Sequence, residues 1–303
     1  MLINFDKELQ KIKDVRSGKI KEGLKLDNEI LDERIRFKRQ FNVILGHANV
    51  GKTSVILYIM LLYTIQHKLK WLVYSSENES YTLIKKLVEF LENKPINKIQ
   101  DFDFNNQVLY INDHFKFIDT TKLYDYKSLL QTAIDIKKTF DYDGFLIDPY
   151  NSLTKNKELH RNISSHDYDY HATSLFRIFS QKYNCAVWLN THANTDALRK
   201  IHPHSHYYAG LPMPPMAADV EGGGKFVNRA DDFWVLHRYI QHPSEWMYSH
   251  LHVRKVKNTD TGGRPTAIDN PITLKSVLNN TGFQINNKNL LPLRVAEQKK
   301  LPF

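Results

Sequence analysis

The sequence predicts an α/β fold built on a mostly parallel central sheet, with antiparallel strands near its C-terminus. From residue 41 onward, short apolar runs alternate with helical segments, which is typical of βαβ units. The later segments "MYSHLHVRKVKN", "ITLKSVL" and "GFQI" favour antiparallel strands and turns instead. The chain has 303 residues, of which 42% are hydrophobic, and this composition is sufficient for a substantial core.

The apolar runs give the order of the elements. The runs that we predict as strands are Phe41 to Leu45, Trp71 to Ser75, Val108 to Asn112, Gly144 to Asp148, Ala186 to Asn190 and Phe233 to His237. The segments that we predict as helices are Ser54 to Gln66, Thr82 to Glu92, Lys122 to Thr139 and Ala172 to Lys182. The first of these helices is shorter than the ~20 residues that a bilayer span needs, so we expect a buried core helix.

The chain divides into a short N-terminal arm, one α/β domain and a tail. We predict boundaries at 1–24, 25–290 and 291–303. In the arm, apolar residues recur at roughly helical spacing between residues 3 and 16, and "SGKIKEG" follows as a linker. The apolar face of this amphipathic helix needs a cover, and either a neighbouring subunit or its own domain could supply it.

Charge and cysteine content restrict the class of protein. The formal net charge is +9 and the pI is about 9.3, which suits a polyanionic partner. The single cysteine, Cys185, excludes a disulfide framework within the chain and indicates a reducing compartment. The start "MLINFDKELQ" has no signal-peptide pattern. We therefore expect a soluble protein of the cytoplasm.

A phosphate-binding loop follows the first strand. The spacing from Gly46 through Gly51 to Lys52 and Thr53 is G-x-x-x-x-G-K-T, between a predicted strand and a predicted helix. Main-chain N–H groups and the helix N-terminus converge on phosphates in such a loop, and the lysine adds a positive charge. The residues that we predict to bind the nucleotide are Gly46, His47, Ala48, Asn49, Val50, Gly51, Lys52, Thr53 and Ser54.

Carboxylates follow two other strands. Asp148 ends an apolar strand, so it can hold Mg²⁺ together with the hydroxyl of Thr53. The next residue is Pro149, so the base that orients the attacking water must come from elsewhere. Glu77 and Glu79 follow the strand "WLVYS", and we predict Glu77, the nearer to the strand end, as this base.

A further strand ends in polar residues. The segment "AVWLNTHAN" places Asn190, Thr191 and His192 at the same edge of the sheet. A side chain there can bond to the γ-phosphate and change position when this phosphate leaves. We therefore predict that His192 couples hydrolysis to the loop that follows it.

These motifs, together with "GGGKFVNRADDFWVLHR" and "HVRKVKNTDTGG", resemble the RecA-like core of hexameric replicative helicases over about residues 25 to 285. The likeness is greatest to the helicase half of phage primase-helicases and to the mitochondrial helicase Twinkle, with DnaB more distant. The resemblance implies a RecA-like P-loop NTPase that unwinds DNA as a ring of six subunits. It also implies ATP or another NTP or dNTP as substrate, Mg²⁺ as cofactor, single-stranded DNA as partner, and a separate primase or polymerase.

The resemblance also assigns catalytic roles to particular residues. It makes Glu77 the base and His192 the phosphate sensor, and a basic pair after a late strand, Lys255 and Lys257, reaches the neighbour's nucleotide. The family usually has an arginine finger where this chain has Lys257. Alternation along the strand would put Arg254 and Lys255 on opposite faces, so the finger is either Lys257 or, with a shifted register, Arg254.

Two basic segments would face the channel of such a ring. One follows Asp148 and carries Lys155, Lys157 and Arg161. The other, from Thr195 to Asn228, lacks periodicity and is followed directly by Arg229. The residues that we predict to bind DNA phosphates are Arg199, Lys200, Lys225, Asn228 and Arg229, with the N–H groups of Gly222 to Gly224. A metal site at His202, His204 and His206 is the less favoured interpretation, because no cysteine or clear carboxylate partner is near.

Three functions compete on this evidence. The first is an NTP-driven translocase on single-stranded DNA that acts as a replicative helicase ring. The second is a RecA-type recombinase or filament ATPase without unwinding activity. The third is a regulatory ATPase without nucleic acid, which the net charge of +9 disfavours. The late basic pair favours the ring, and priming is expected to fall to another protein.

Overall fold

The computed structural model describes residues 2–21, 23–156, 161 and 163–291. Its strands form one sheet in the order β10-β9-β8-β7-β6-β1-β5-β4-β2-β3. The strands are β1 (Phe41–Gly46), β2 (Trp71–Ser75), β3 (Phe115–Phe117), β4 (Gly144–Asp148), β5 (Ala186–His192), β6 (Asp232–His237), β7 (Tyr248–Val256), β8 (Ile272–Ser276), β9 (Phe283–Ile285) and β10 (Lys288–Asn289). The strands from β6 to β3 in this order pair in parallel, and β7 to β10 are antiparallel. The fold class predicted from the sequence is confirmed.

Helices cover both faces of the sheet. They are α1 (Phe5–Arg16), α2 (Glu29–Arg34), α3 (Lys52–His67), α4 (Ser80–Glu92), α5 (Asp101–His114), α6 (Tyr126–Lys137), α7 (Ser165–Tyr183) and α8 (Lys225–Arg229). Apolar side chains of α3, α4 and α5 pack on one face, and those of α6, α7 and α8 pack on the other. Because both faces are covered, the parallel strands are continuous apolar runs whose carboxyl ends meet at one edge.

Helix α3 is the central core helix, as predicted. Its residues from Val55 to Thr64 are all buried, between the sheet and α4. Among the described residues, no helix has the length and apolar character that crossing a membrane requires.

One predicted strand is wrong. Residues Val108 to Asn112 lie inside α5, and the strand beside β2 is the shorter β3. The residues of α5 that are buried, Gln107 and Ile111, are four apart, whereas Leu109 between them is 63% exposed. This is helical spacing, which a short apolar run does not separate from that of a strand.

The N-terminal helix α1 forms where the sequence predicts it. Asn4 caps it by accepting a hydrogen bond from the N–H of Lys7. None of its residues is buried, and Ile3, Phe5 and Ile12 expose most of their surface. The apolar face of the helix is therefore open to solvent in the single chain. The predicted tail lies outside the described residues from 292 onward.

Candidate functional site: a phosphate-binding loop at the carboxyl edge of the sheet

The loop between β1 and α3 has the backbone conformation of a phosphate-binding loop. Gly46 ends β1, and a Cβ atom on it would lie 2.6 Å from the carbonyl oxygen of Leu236. Gly51 is the N-cap of α3 with φ of 84°, a left-handed conformation that favours glycine. The two glycines let the loop turn closely over the end of the strand, where the N-terminus of α3 can receive an anion.

Lys52 is buried inside this loop. Its Nζ donates hydrogen bonds to the carbonyl oxygens of Gly46 at 3.1 Å and His47 at 2.8 Å. Burial lowers the pKa of Lys52 to about 8, although the carboxylates of Asp148 and Glu77 raise it. A phosphate would supply the negative charge that the two carbonyl groups lack, and it would favour the protonated amine.

Asp148 is held at the end of β4 by neutral donors. Its Oδ2 accepts hydrogen bonds from Thr53 Oγ1 at 2.7 Å and from Ser75 Oγ at 3.4 Å. Its Oδ1 accepts one from Asn190 Nδ2 at 2.7 Å. Burial raises the pKa of Asp148, against the opposing effect of the Thr53 and Asn190 hydrogen bonds. Three neighbouring strands and α3 thus fix the position of one carboxylate.

The Thr53 and Asp148 pair fits Mg²⁺. A hydroxyl and a carboxylate are oxygen ligands of the kind that this cation prefers. The carboxylate is buried and its partners are neutral, so a cation beside it would stabilise its ionised form. The donor set therefore agrees with the predicted metal ligands.

His192 connects the loop lysine to a carboxylate. Its Nδ1 lies 3.3 Å from Lys52 Nζ, and its Nε2 lies 3.1 Å from Glu77 Oε1. Since the ammonium of Lys52 is a donor, Nδ1 accepts and Nε2–H donates to Glu77. Glu79 is instead the exposed N-cap residue of α4. Of the two acids predicted after β2, Glu77 is the one in contact with the site.

The comparisons with known proteins place this edge in a known fold. No protein family and no curated protein matches the sequence. A solved helicase ATPase domain matches with a TM-score of 0.72 and 14% identity, covering 93% of this chain and 99% of that one. A DnaB-like replicative helicase, solved in a study of its interactions with primase, matches with a TM-score of 0.67 and 14% identity, covering 93% and 67%. A KaiC-like protein from Pyrococcus horikoshii matches with a TM-score of 0.56 and 11% identity, covering 88% and 97%.

The chain has a RecA-like ATPase fold. The resemblance predicted from the motifs is confirmed at the level of the fold. The loop from Gly46 to Ser54, Asp148, Glu77 and His192 all lie at the carboxyl edge of the RecA-like sheet, where open parallel sheets bind their ligands.

Lys255 and Lys257 lie at the opposite edge of this RecA-like sheet. Lys255 Nζ donates to the carbonyl oxygens of Val227 at 2.8 Å and Ala230 at 2.7 Å. Lys257 Nζ lies 3.2 Å from Asp231 Oδ1, beside the start of β1. The phosphate-binding loop is at the other end of β1, about 16 Å away for a strand of this length. These lysines therefore cannot serve the loop of their own chain.

A β-bulge lies next to this pair. The register between β6 and β7 shifts between Phe233 and Trp234, which face Lys255 and Val253, so Arg254 is the extra residue. A bulge interrupts the alternation of side chains between the two faces. The alternation on which the sequence argument about Arg254 and Lys255 depended is thus broken at this point, and Lys255 faces α8.

The predicted DNA-binding residues are in different environments. Arg199 is 85% exposed beside Asp196, and Lys200 bonds to Asp219. Asn228 is exposed, and the guanidinium of Arg229 lies 4.2 Å from the centre of the Tyr170 ring. Lys225, by contrast, is buried.

Lys225 lies 3.3 Å from Asp169 Oδ2, in an ion pair whose two side chains are almost fully buried. In this conformation it is not available to a phosphate. Of the other loop, exposed Lys155 bonds to Ser165 Oγ at 3.1 Å and Arg161 is also exposed. Lys157 lies outside the described residues.

The histidines of "HPHSH" pack with aromatic side chains. His202 Nε2 lies 2.9 Å from the hydroxyl of Tyr239, and its imidazole stacks on that of His206 at 4.0 Å. Burial lowers the pKa of His202. These contacts place the two histidines in a packed surface layer of the loop.

Two residues of this edge are absent from the sequence predictions. Arg238 directly follows β6, and its Nη1 would lie 3.9 Å from a Cβ atom on Gly51. Asn151 follows β4 and accepts a hydrogen bond from the N–H of His192 at 3.0 Å. Both are polar residues just after an apolar strand, so the rule that selected Asp148 and Glu77 could also have found them.

Proposed function

We propose that this chain is the motor of a replicative DNA helicase, which hydrolyses a nucleoside triphosphate and moves along single-stranded DNA. The carrying observation is the 2.7 Å contact of Thr53 with Asp148 beside Lys52, in a fold that covers 99% of a helicase ATPase domain. A glycine loop with a buried lysine binds phosphates. The agreement over the full length of a helicase motor favours DNA translocation over other uses of this fold.

In this proposal the loop from Gly46 to Ser54 binds the triphosphate, and Lys52 contacts its terminal phosphates. Thr53 and Asp148 would hold Mg²⁺, which when bound supplies positive charge to the β- and γ-phosphates. Glu77 accepts the proton of the attacking water, and its hydrogen bond to His192 Nε2 orients the carboxylate. His192 also reaches Lys52, so it can respond to the presence of the γ-phosphate.

The proposed assembly is a closed ring, with six subunits as the expected number. Lys257, with Lys255 beside it, is placed to act on the nucleotide of a neighbouring subunit, because both lie at the edge opposite their own loop. Arg254 in the bulge is the alternative finger. In such a ring the exposed apolar face of α1 would pack on a neighbour as an arm of residues 1–24.

Single-stranded DNA would pass through the ring along the segment from Thr195 to Arg229. Arg199, Lys200, Asn228 and Arg229 would contact phosphates, and Lys225 would join them after leaving Asp169. A separate primase or polymerase is the expected partner at the fork. We place this activity in the cytoplasm, or in the host cytoplasm for a phage-encoded protein.

The experiment that tests the proposal is strand separation on a forked DNA, with ATP and Mg²⁺. We expect the wild type to release the labelled strand and a Glu77→Gln variant to bind the fork without releasing it. Electron microscopy with a non-hydrolysable ATP analogue and single-stranded DNA should show closed rings. Filaments without strand release would support the RecA-type recombinase, and hydrolysis that ignores DNA would support the regulatory ATPase.

A further inference from the structure

The segment that we propose for DNA binding begins and ends on the sensor histidine. Ala193 and Val220 form an isolated bridge, and the N–H of Glu221 donates to the carbonyl oxygen of His192 at 3.0 Å. The segment between them, which we call the DNA loop (residues 194–220), is therefore anchored at its base to the end of β5. A displacement of this loop acts first on Glu221 and His192.

Asn151 makes a second connection between the same two residues. Its Oδ1 accepts hydrogen bonds from the N–H of His192 at 3.0 Å and from Thr191 Oγ1 at 3.1 Å. Its Nδ2 donates to Glu221 Oε2 at 2.8 Å. Asn151 belongs to the turn after Asp148, so it also ties the position of Glu221 to the strand that carries the proposed metal ligand.

Glu221 has the freedom to move that such a connection needs. The two residues after it, Gly222 and Gly223, have φ of 98° and 93°, which side chains other than glycine rarely adopt. A cavity of about 220 Å³ lies beside the pair, and Asn151, Glu221, Gly222 and Asp169 are among the residues that line it. The side chain of Glu221 can therefore change position without displacing a packed core.

We propose that the hydrogen bond between Asn151 and Glu221 transmits DNA binding to the hydrolytic site. This inference rests on the proposed function. DNA on the loop moves Glu221, Asn151 follows it, and the main chain of His192 shifts with Asn151. Because the imidazole of His192 donates to Glu77, the shift repositions the carboxylate that activates water. Asn151 and Glu221 are positioning residues in this scheme, since they act through His192.

The test compares the ATPase rate with and without oligo-dT for variants of Glu221. Glu221→Ala removes the oxygen that accepts from Asn151. Glu221→Gln removes the same charge but keeps an acceptor oxygen. We expect the alanine variant to retain its DNA-free rate while its stimulation by DNA falls by about 2- to 30-fold, the range of residues that carry coupling. The glutamine variant should keep most of the stimulation.

A reciprocal exchange makes the test specific for the hydrogen bond. Asn151→Asp keeps an acceptor for the N–H of His192 but places a carboxylate against Glu221, so stimulation should fall. Adding Glu221→Gln to this variant restores a donor and an acceptor in reversed order, and stimulation should recover. The affinity for oligo-dT, measured by fluorescence anisotropy, should change equally in Glu221→Ala and Glu221→Gln.

The outcomes separate this inference from the function on which it rests. A wild type without hydrolysis, or without stimulation by DNA, overturns both. A stimulated wild type with equal stimulation in all variants overturns the inference alone. Equal loss in Glu221→Ala and Glu221→Gln also overturns it, because the charge of Glu221 rather than its hydrogen bond would then matter. Loss in Glu221→Ala together with recovery in the double variant supports it.

Discussion

The two edges of the central sheet both bury charged groups, but they satisfy them differently. At the edge where β1 begins, Asp231 bonds to both Arg177 and Lys257, and Lys38 approaches Asp232. At the carboxyl edge, Lys52 and Asp148 bond to neutral groups, and neither forms an ion pair within the described residues.

This difference separates structure from function. A buried ion pair is a closed arrangement, and removing one partner leaves the other uncompensated. A buried charge that only neutral dipoles solvate has its pKa shifted, as those of Lys52 and Asp148 are, and it gains most from a ligand of opposite charge. The unpaired edge is thus the one that we expect to bind Mg²⁺ and a triphosphate.

The largest effect is expected from Lys52→Ala. The triphosphate loses the buried ammonium, so we expect hydrolysis to be abolished and nucleotide affinity to fall. Phosphate release and titration with a fluorescent nucleotide measure the two effects. Lys85→Ala, on the exposed surface of α4, is the control for loss of one positive charge. Unchanged hydrolysis in Lys52→Ala would remove the functional meaning of the unpaired edge.

The next effect concerns Lys257, which belongs to the paired edge. If it also acts in trans, Lys257→Ala should bind nucleotide normally and lose about 10³-fold in hydrolysis, at the low end for a finger because lysine lacks the fork of arginine. Arg177→Ala removes the other partner of Asp231 and should retain hydrolysis despite lower stability. Similar behaviour of the two variants would mean that Lys257 only completes the ion pair.

Mixed assemblies sharpen this result. Lys257→Ala subunits and Glu77→Gln subunits should each be inactive alone. In a mixture, some interfaces combine an intact Glu77 with a neighbour's intact Lys257, so part of the ATPase should return. We measure the rate against the mixing ratio. The absence of rescue at every ratio, with full wild-type activity in monomers at high dilution, would falsify the shared site.

The third effect, Glu77→Gln, tests the contact with His192. The amide keeps the shape of the side chain but cannot accept a proton, so turnover should fall by ~10² or more while nucleotide binding is retained. Glu79→Gln is the matched control in the same turn, and it should be nearly neutral. If only Glu79→Gln impairs turnover, the assignment of the base to Glu77 is incorrect.

Residues at strand ends were the predictable part of the site. Thr53, Glu77, Asp148 and His192 follow apolar runs, and parallel strands bring their carboxyl ends to one edge whatever the details of packing. Val108 to Asn112 was not predictable in this way, since a short apolar run fits both periods. The fold class followed from the alternation of runs and helices for the same reason as the site.

The paired edge and the DNA loop depended on tertiary contacts that spacing does not encode. The bulge at Arg254 arises from the register of β6 on β7, and no residue in "HVRKVK" signals it. The burial of Lys225 depends on Asp169, which comes from α7, far away in the sequence. A basic residue in a loop was therefore a weaker indicator than a polar residue at a strand end.

A smaller effect is expected for DNA affinity. Each phosphate contact lowers the slope of log affinity against log salt by about 0.7 on single strands. Replacing Arg229 alone should reduce the slope by about 0.7, and replacing Lys225 as well should reduce it by about 1.4 if Lys225 leaves Asp169 on binding. A second reduction of zero would mean that the pair with Asp169 persists in the complex. Binding that does not depend on salt would contradict phosphate recognition altogether.

The smallest effect is a pH dependence of stability that reports on Lys52 without any ligand. Burial lowers the pKa of Lys52 to about 8 in the folded chain, from the ordinary 10.5. Between these two values the unfolded chain binds more protons at this position than the folded chain, so its contribution to the free energy of unfolding rises with pH. The difference between wild type and Lys52→Met, from urea unfolding, should therefore shift in favour of the wild type as the pH is raised through this window. Bound nucleotide should weaken the shift, because phosphate charge restores the pKa of the amine. A difference that is constant with pH would mean that Lys52 is solvated or paired in the free protein, and the contrast between the two edges would then disappear.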